Sequence, residues 1–394
     1  MPRLLLITPA ELTRDPRARR QASAAQRLGF GVVGLSGRIS GEEPAPLEGV
    51  TVVRVGRSGH PNAQWMSGAS ARRETVLRRE LRGLYRLARL GARTVQLVRG
   101  GRTLGSVAVV HANDLDTLPA GWLLARESSA RLVYDAHELY VEFEPDPPRL
   151  YAAVLSAIEC FLTGRADAVV TVSRPLAAEL EQRLSLPRRP LVVLNAPDLD
   201  PVEPEAAAEG ALRAIYQGGF GSGRPLSDLL EAVRLAPSVQ LTLRAARAHP
   251  EVLRRSVDSA GLADRIEVAE PVPPDEAVHA LQGHHVGLIF DRPVTRNAEL
   301  SLPNKLFEYL MAGLAVVAPR LPGLALVERE GLGVTFEAGR PDELAHRLEE
   351  LAADRPHLAE LRRNARAAAL ERYNAGAQAL SLATAWGLRR DGGA

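Results

Sequence analysis

The chain has 394 residues, a formal net charge of +2, and a composition that is 46% hydrophobic and 24% charged. That length predicts two domains rather than one core, and the near-balanced charge excludes an electrostatic nucleic-acid binder. The single cysteine, Cys160, excludes an intrachain disulfide, and no apolar run reaches the ~18 residues of a membrane span, so the reading is a cytoplasmic protein.

Short apolar runs alternate with longer helical patterns, as parallel βαβ units require. Arg3 to Ile7 (RLLLI) predicts the first strand, Asp15 to Leu28 a helix, and Gly31 to Leu35 the next strand. Further strands are expected at Thr51 to Val55, Val107 to Val110, Arg131 to Tyr134, Ala168 to Val172 and Pro190 to Leu194. From Asn195 to Gly210 the period breaks into a proline-rich, acidic stretch that reads as a linker. A second strand series follows at Ala211 to Tyr216, Gln240 to Leu243, Ile266 to Val268, Val286 to Phe290, Ala315 to Ala318 and Gly333 to Phe336. The expected architecture is α/β: two doubly wound, Rossmann-like domains facing a central cleft, with ligands at the carboxyl ends of the strands. The domains are placed at 1–200 and 201–372, and a last helix in 373–394 is expected to cross back to the first.

Residues 71–102 depart from this rhythm. They hold ten arginines against Glu74 and Glu80, with Val76, Leu77, Leu81, Leu84 and Leu87 at helical spacing and a break expected near Gly91. The plain reading is a helix packed on a sheet with a solvated arginine face. A secondary expectation is peripheral contact with an anionic membrane surface.

Lys305 is the only lysine, against 48 arginines. In SLPNKLFEYLMAG (301–313), Ser301 suits an N-cap, Pro303 the first turn and Gly313 the C-terminus. Leu306, Phe307, Leu310 and Met311 form an apolar side, with Lys305 and Glu308 on the other. An ammonium beside the free N–H groups of a helix start is an anion site suited to phosphate, and Glu308 one turn on could accept from a vicinal diol. A surface Lys305–Glu308 ion pair is the alternative that spacing leaves open.

SLPNKLFEYLMAGLAVVAP resembles the nucleotide-sugar segment of retaining GT-B glycosyltransferases, of a family-4-like group with a P-x-K-[apolar]-[apolar]-E-Y core. Other stretches agree in order: the opening strand and helix with Asp15 to Arg17 (DPR), the loops VVHANDLDTLPAG and VYDAHELYVE, then VVLNAPD and AIYQGGFGSGRPLSDLLEAV. The likeness covers nearly the whole chain.

It implies transfer of a sugar from a nucleoside-diphosphate sugar, UDP favoured, to a glycan or lipid-linked acceptor, polysaccharide or envelope assembly being the preferred setting. Glu308 would hold the ribose, Lys305 and Arg224 the diphosphate, and the backbone at Gly218, Gly219 and Asn304 would cradle it. Val272, Asn297 and Pro303 complete the implied donor set. His137 would lie near the transferred sugar, with His111, Asp114, Asp135 and Glu138 on the acceptor side. Lys305, Arg224, Glu308 and His137 are the implied catalytic group, acting on charge growing on the leaving diphosphate. No D-x-D stretch adjoins a strand end in the second half, so no metal and no cofactor beyond the co-substrate is expected. A pyridoxal phosphate role for Lys305 fits less well, since the phosphorylases of this fold are much longer chains.

Two departures qualify the likeness. Many relatives carry glutamates eight positions apart, but Leu300 stands eight before Glu308 and Glu299 is displaced by one. An arginine-then-lysine phosphate pair is reduced to Arg224. These departures keep a non-catalytic nucleotide-sugar-binding subunit and an epimerase of the same fold as alternatives.

Overall fold

The computed structural model describes residues 1–38, 46–57, 75–142, 146–201, 203–204, 210–221, 223–245 and 250–388. Parts of the expected linker, the first four residues of 71–102 and the last six of the chain lie outside the described residues. The chain divides into two compact units: Met1–Asn195 with Thr295–Asn297 and Gln378–Ala394, and Ala196–Val294 with Ala298–Ala377.

Unit 1 runs β1 (Arg3–Ile7), α1 (Pro16–Arg27), β2 (Gly31–Arg38), β3 (Val50–Arg57), α2 (Val76–Arg102), β4 (Val109–Asn113), α3 (Leu118–Ser128), β5 (Arg131–Ala136), α4 (Arg149–Thr163), β6 (Ala168–Thr171), α5 (Arg174–Arg183) and β7 (Leu191–Val192). Among the described residues its strands form one parallel sheet ordered β3-β2-β1-β4-β5-β6-β7. The runs RLLLI and VVHAN are almost wholly buried because a parallel sheet is covered on both faces. The order reverses between β1 and β4, which opens a crevice at their carboxyl ends.

Unit 2 runs β8 (Leu212–Gly218), α6 (Leu226–Leu235), β9 (Val239–Ala245), α7 (Pro250–Ser259), β10 (Ile266–Ala269), β11 (Val286–Leu288), α8 (Arg296–Leu300, divided between the units), α9 (Asn304–Met311), β12 (Ala315–Pro319), α10 (Leu326–Arg329), β13 (Gly333–Phe336), α11 (Pro341–Ala353) and α12 (Arg355–Glu371). Its parallel sheet is ordered β10-β9-β8-β11-β12-β13. The final helix, α13 (Ala375–Ala385), returns the chain to unit 1, where Leu382, Ala385 and Trp386 join Leu4, Leu6, Ala18 and Val133 in the core.

Two local expectations are corrected. The helix holding Lys305 starts at Asn304, and Pro303, extended at ψ 141°, is its N-cap; Ser301 does not cap it. The residue before a proline is driven away from helical backbone, so the turn cannot begin at Leu302. The helix α2 is unbroken through Gly91, which faces open space, and its inward side is not the expected leucine series but Gly83, Arg86, Leu90, Leu97, Val98, Gly100 and Gly101. Gly83, Gly100 and Gly101 pack there against Pro148, Val55 and Leu124, each too close for a Cβ, while Leu77, Leu81 and Leu84 face solvent. Small residues let the helix lie close, and the leucines of its first half, Leu77, Leu81 and Leu84, turn outward.

Tyr309 fixes α9 to the sheet. Its hydroxyl accepts from the Gln217 amide at 3.0 Å and donates to the Leu288 carbonyl at 3.2 Å, and its ring lies over Gly287. A Cβ at position 287 would stand 2.3 Å from that ring. Gly287→Ala should therefore lower unfolding free energy by about 1–3 kcal/mol. Urea denaturation measures it, and an unchanged midpoint would mean the ring yields freely.

Candidate functional site

In unit 1, Asp135 at the end of β5 is fully buried and gathers donors from four directions. Arg17, in the first turn of α1, grips it with Nε on Oδ2 and Nη2 on Oδ1, both at 2.8 Å. Gln21, one turn on, donates to Oδ2 at 2.7 Å, and His111 Nε2 from β4 approaches the same oxygen at 3.3 Å. Asp15 holds α1 in place by accepting from the amides of Arg17 and Ala18. On the far side of His111, the Trp386 indole N–H donates to Nδ1 at 3.0 Å. That bond assigns His111 the Nε2–H tautomer, which can then donate to Asp135.

His137 completes the cluster. Its Nδ1 lies 3.0 Å from Asp114 Oδ1 and its Nε2 lies 3.1 Å from Asp135 Oδ2, the latter off the line a hydrogen bond needs. Asp114 takes up a left-handed backbone (φ 72°) while its amide donates to the Asp135 carbonyl. Burial pushes His137 down, but Asp135 and Asp114 outweigh it and raise the imidazole to about 10. Burial likewise pushes Asp135 up, and the charges of Arg17 and His137 with the His111 bond hold it well below the usual carboxylate range. Burial lowers His111, against the pull of Asp135. At neutral pH the cluster is thus an imidazolium between two carboxylates, backed by a neutral imidazole. Glu138 lies apart from it and takes the side-chain amide of Asn297, whose oxygen accepts from the Leu139 amide at 2.8 Å. Asn297 falls in unit 1, not among the residues of unit 2.

In unit 2, the ends of β8 and β11 meet the start of α9. Lys305 is buried, and its Nζ lies 4.2 Å from the Tyr216 ring centre with no hydrogen-bond partner among the described residues. Burial lowers the ammonium to about 8, with Asp291 opposing the shift. Gly218 (φ 150°) ends β8 beside it, and a Cβ there would stand 2.9 Å from Nζ. The loop then folds back: Tyr216 donates to the Gly219 carbonyl at 2.5 Å, and Gly221 and Arg224 exchange backbone bonds. Arg224 reaches Asp291 with Nε at 2.9 Å from Oδ1. Glu308 accepts from Gln217 Nε2 at 2.9 Å and makes no ion pair with Lys305, so the surface-pair alternative does not hold. Asn304 is exposed at the helix start, and Val272 sits half-buried after β10. The structure thus brings Gly218, Gly219, Arg224, Pro303, Asn304, Lys305 and Glu308 to one strand-end region.

Sequence reasoning missed Arg17, Gln21 and Trp386 in the first cluster, and Tyr216, Gln217 and Asp291 in the second. The DPR element was a signal for Arg17; the others carry no local mark.

Residues 17–200 match the model of Glycosyltransferase Family 4, and residues 224–383 match that of a Glycosyl transferase-like domain. Among solved structures, sucrose-phosphate synthase from Thermosynechococcus elongatus is similar at 16% identity and TM-score 0.73, over 98% of this chain and 99% of that one. HepE of Anabaena, solved with UDP-glucose, is similar at 15% identity and TM-score 0.68, over 99% and 100%. The α,α-trehalose 6-phosphate synthase of Burkholderia multivorans is similar at 14% identity and TM-score 0.66, over 98% and 99%. No curated protein matches the sequence. The chain belongs to the glycosyltransferases of GT-B fold, family-4-like.

Because its folded pKa is raised from an ordinary value near 6.5, His137 contributes stability that is full below about pH 6.5 and is lost as pH rises through about 10. Its NMR signals should stay fixed between about pH 5.5 and 8.5. A midpoint near 6.5 would dismantle the assignment of the imidazolium.

Proposed function

We propose that the protein is a retaining glycosyltransferase that moves a sugar from a UDP-sugar to a glycan or lipid-linked acceptor. The observation that carries this reading is the Lys305 ammonium, buried without an acceptor beside Gly218 at the end of β8. A buried cation lacking a hydrogen-bond partner is a waiting anion site, and a diphosphate supplies the missing oxygens. Arg224 adds a second cation, Glu308 takes the ribose hydroxyls, and the amides at Gly218, Gly219 and Asn304 complete the cradle. As the sugar–phosphate bond breaks, charge grows on the leaving diphosphate, and fixed cations in a water-poor site stabilise it without a metal or a further cofactor.

UDP is favoured because HepE, of the same fold, was solved with UDP-glucose. In unit 1, His137 is a standing cation with one ring N–H outside any good hydrogen bond, suited to a sugar hydroxyl. His111 and Asp135 orient it, and Asp114 and Glu138 flank the acceptor side. The reading places the work in the cytoplasm, with contact at the inner face of the membrane through 71–102 where the acceptor is lipid-linked. A nucleotide-binding subunit without turnover is the second reading, favoured by Leu300 standing where many relatives have an acid.

Calorimetry with UDP and GDP tests the donor site. UDP should bind the wild type, and Glu308→Ala should lose most of that affinity. Lys305→Ala should lose about 1.5–3 kcal/mol, the usual worth of a charged hydrogen bond. Wild-type affinity should also fall above about pH 8, because binding then requires a proton that free Lys305 has released. Binding indifferent to both substitutions would remove the donor site from α9. Turnover of a UDP-sugar, with the anomer of the product read by NMR, separates a retaining transferase from the binding subunit.

A further inference from the structure

We propose that a cavity in unit 1, walled by apolar side chains and floored by the Glu159 carboxyl, binds a small primary amine. No residue of the Asp135 cluster or of the Lys305 region lines it, and the inference needs neither the donor site nor any turnover.

Glu159 stands where the fold calls for a hydrocarbon. The buried side of α4 includes Tyr151, Leu155, Glu159 and Leu162, the three- and four-residue series of an apolar stripe with one acid inside it. Glu159 is only 6% exposed, and a carboxylate buried to that degree is ordinarily paired. Here it is not. Arg183 of α5, whose charge acts on Glu159, is engaged elsewhere, with Glu179 at 2.6 Å and Glu142 at 3.0 Å. Among the described residues Glu159 makes no ion pair, and its hydrogen bond is the one that the Tyr134 hydroxyl donates to Oε1 at 2.7 Å. Oε2 is left without a donor. Burial raises the carboxyl to about 7, against both that hydrogen bond and the Arg183 charge.

The space beside Glu159 has the shape of a small binding site. Leu139 and Val141, Leu180 and Leu184 wall a cavity of about 360 Å³ between the turn at Tyr140–Glu142, α4 and α5. That is the lower end of the range for ligand pockets, enough for a single ring or a short alkyl chain. A buried acid with a shifted proton equilibrium, set in a concave site, is a candidate for ligand contact.

The chemistry of the floor selects the ligand. An ammonium group carries three donors and a positive charge, so it meets Oε2 and favours the ionised carboxyl that burial penalises. A compact apolar body attached to it covers the leucines. An anion would be repelled, and a neutral hydroxyl would leave the carboxylate charge unanswered. Arg183 does not oppose a cation strongly, because two glutamates already neutralise it.

Cys160 makes the test direct. It is exposed, lines the same cavity and is the only cysteine of the chain, so reversible disulfide capture reports occupancy at one known position. The full chain is equilibrated under 2-mercaptoethanol with two disulfide probes, one ending in benzylamine and one in benzyl alcohol, and the adducts are read by intact mass. Wild type should capture the benzylamine probe about fivefold more than the benzyl alcohol probe, the worth of one charge-assisted hydrogen bond. Glu159→Gln keeps the side-chain shape and an acceptor for Tyr134, and should bring the ratio to about one. Excess free benzylamine should displace the benzylamine probe from wild type, an arm that needs no variant. Circular dichroism and melting temperature matching wild type establish that the variant is folded. Equal capture of the two probes, a cation preference that survives in Glu159→Gln, or capture indifferent to free benzylamine would overturn the proposal. The outcome is independent of whether UDP binds at Lys305.

Discussion

Burying an ammonium group without an acceptor costs several kcal/mol, and unit 2 is arranged around one. Lys305 cannot turn to solvent because α9 is buried along most of its surface, with Tyr309 hydrogen-bonded into the sheet one turn further on. The Tyr216 ring offers its face to the cation, Asp291 lies close enough to oppose deprotonation, and Gly218 leaves the space in front of Nζ free of a side chain. These contacts compensate only in part, which is why the pKa falls to about 8 and why an arriving phosphate should bind firmly. Arginine at 305 would carry a larger, planar head into a space bounded by the Tyr216 ring and the backbone of β8.

Unit 1 solves the opposite problem. There a buried carboxylate, Asp135, is supplied with donors at both oxygens, and together with Asp114 it holds His137 as a cation. The resemblance read from the sequence put His137 near the transferred sugar and said nothing of its charge. The geometry makes it a fixed positive charge across the neutral range, closer in character to an arginine than to a proton shuttle.

Most strands were legible because parallel strands buried on both faces appear as unbroken apolar runs between turn residues. The Lys305–Glu308 motif was legible because it is local: one helix, read at three- and four-residue spacing, carries both residues. Gln21 and Trp386 were not, since they meet Asp135 and His111 across more than a hundred residues and nothing in their neighbourhoods distinguishes them, while Arg17 was marked only by its DPR element. The direction of α2 was misread for a different reason. Hydrophobic periodicity reports where large apolar residues lie, whereas the closest approaches of this helix are made by Gly83, Gly100 and Gly101, which leave no such trace beside Leu90, Leu97 and Val98. The helix start at Asn304 was missed by a few residues because Ser301 is a good cap in isolation and Pro303 overrides it.

The return of α13 to unit 1 has a consequence for biosynthesis. The core of unit 1 includes Leu382, Ala385 and Trp386, the last of which also bonds His111. As the chain leaves the ribosome, the first unit therefore remains open on one face while the whole of the second is made. The usual order, in which an amino-terminal domain folds to completion first, is not available to it. Unit 2 has its last strand complete at Phe336 and its last helix complete at Glu371, both ahead of α13, so it can close earlier. A chain truncated just before Trp386 would keep a formed second unit and an unfinished first one, exposing apolar surface that chaperones and proteases recognise.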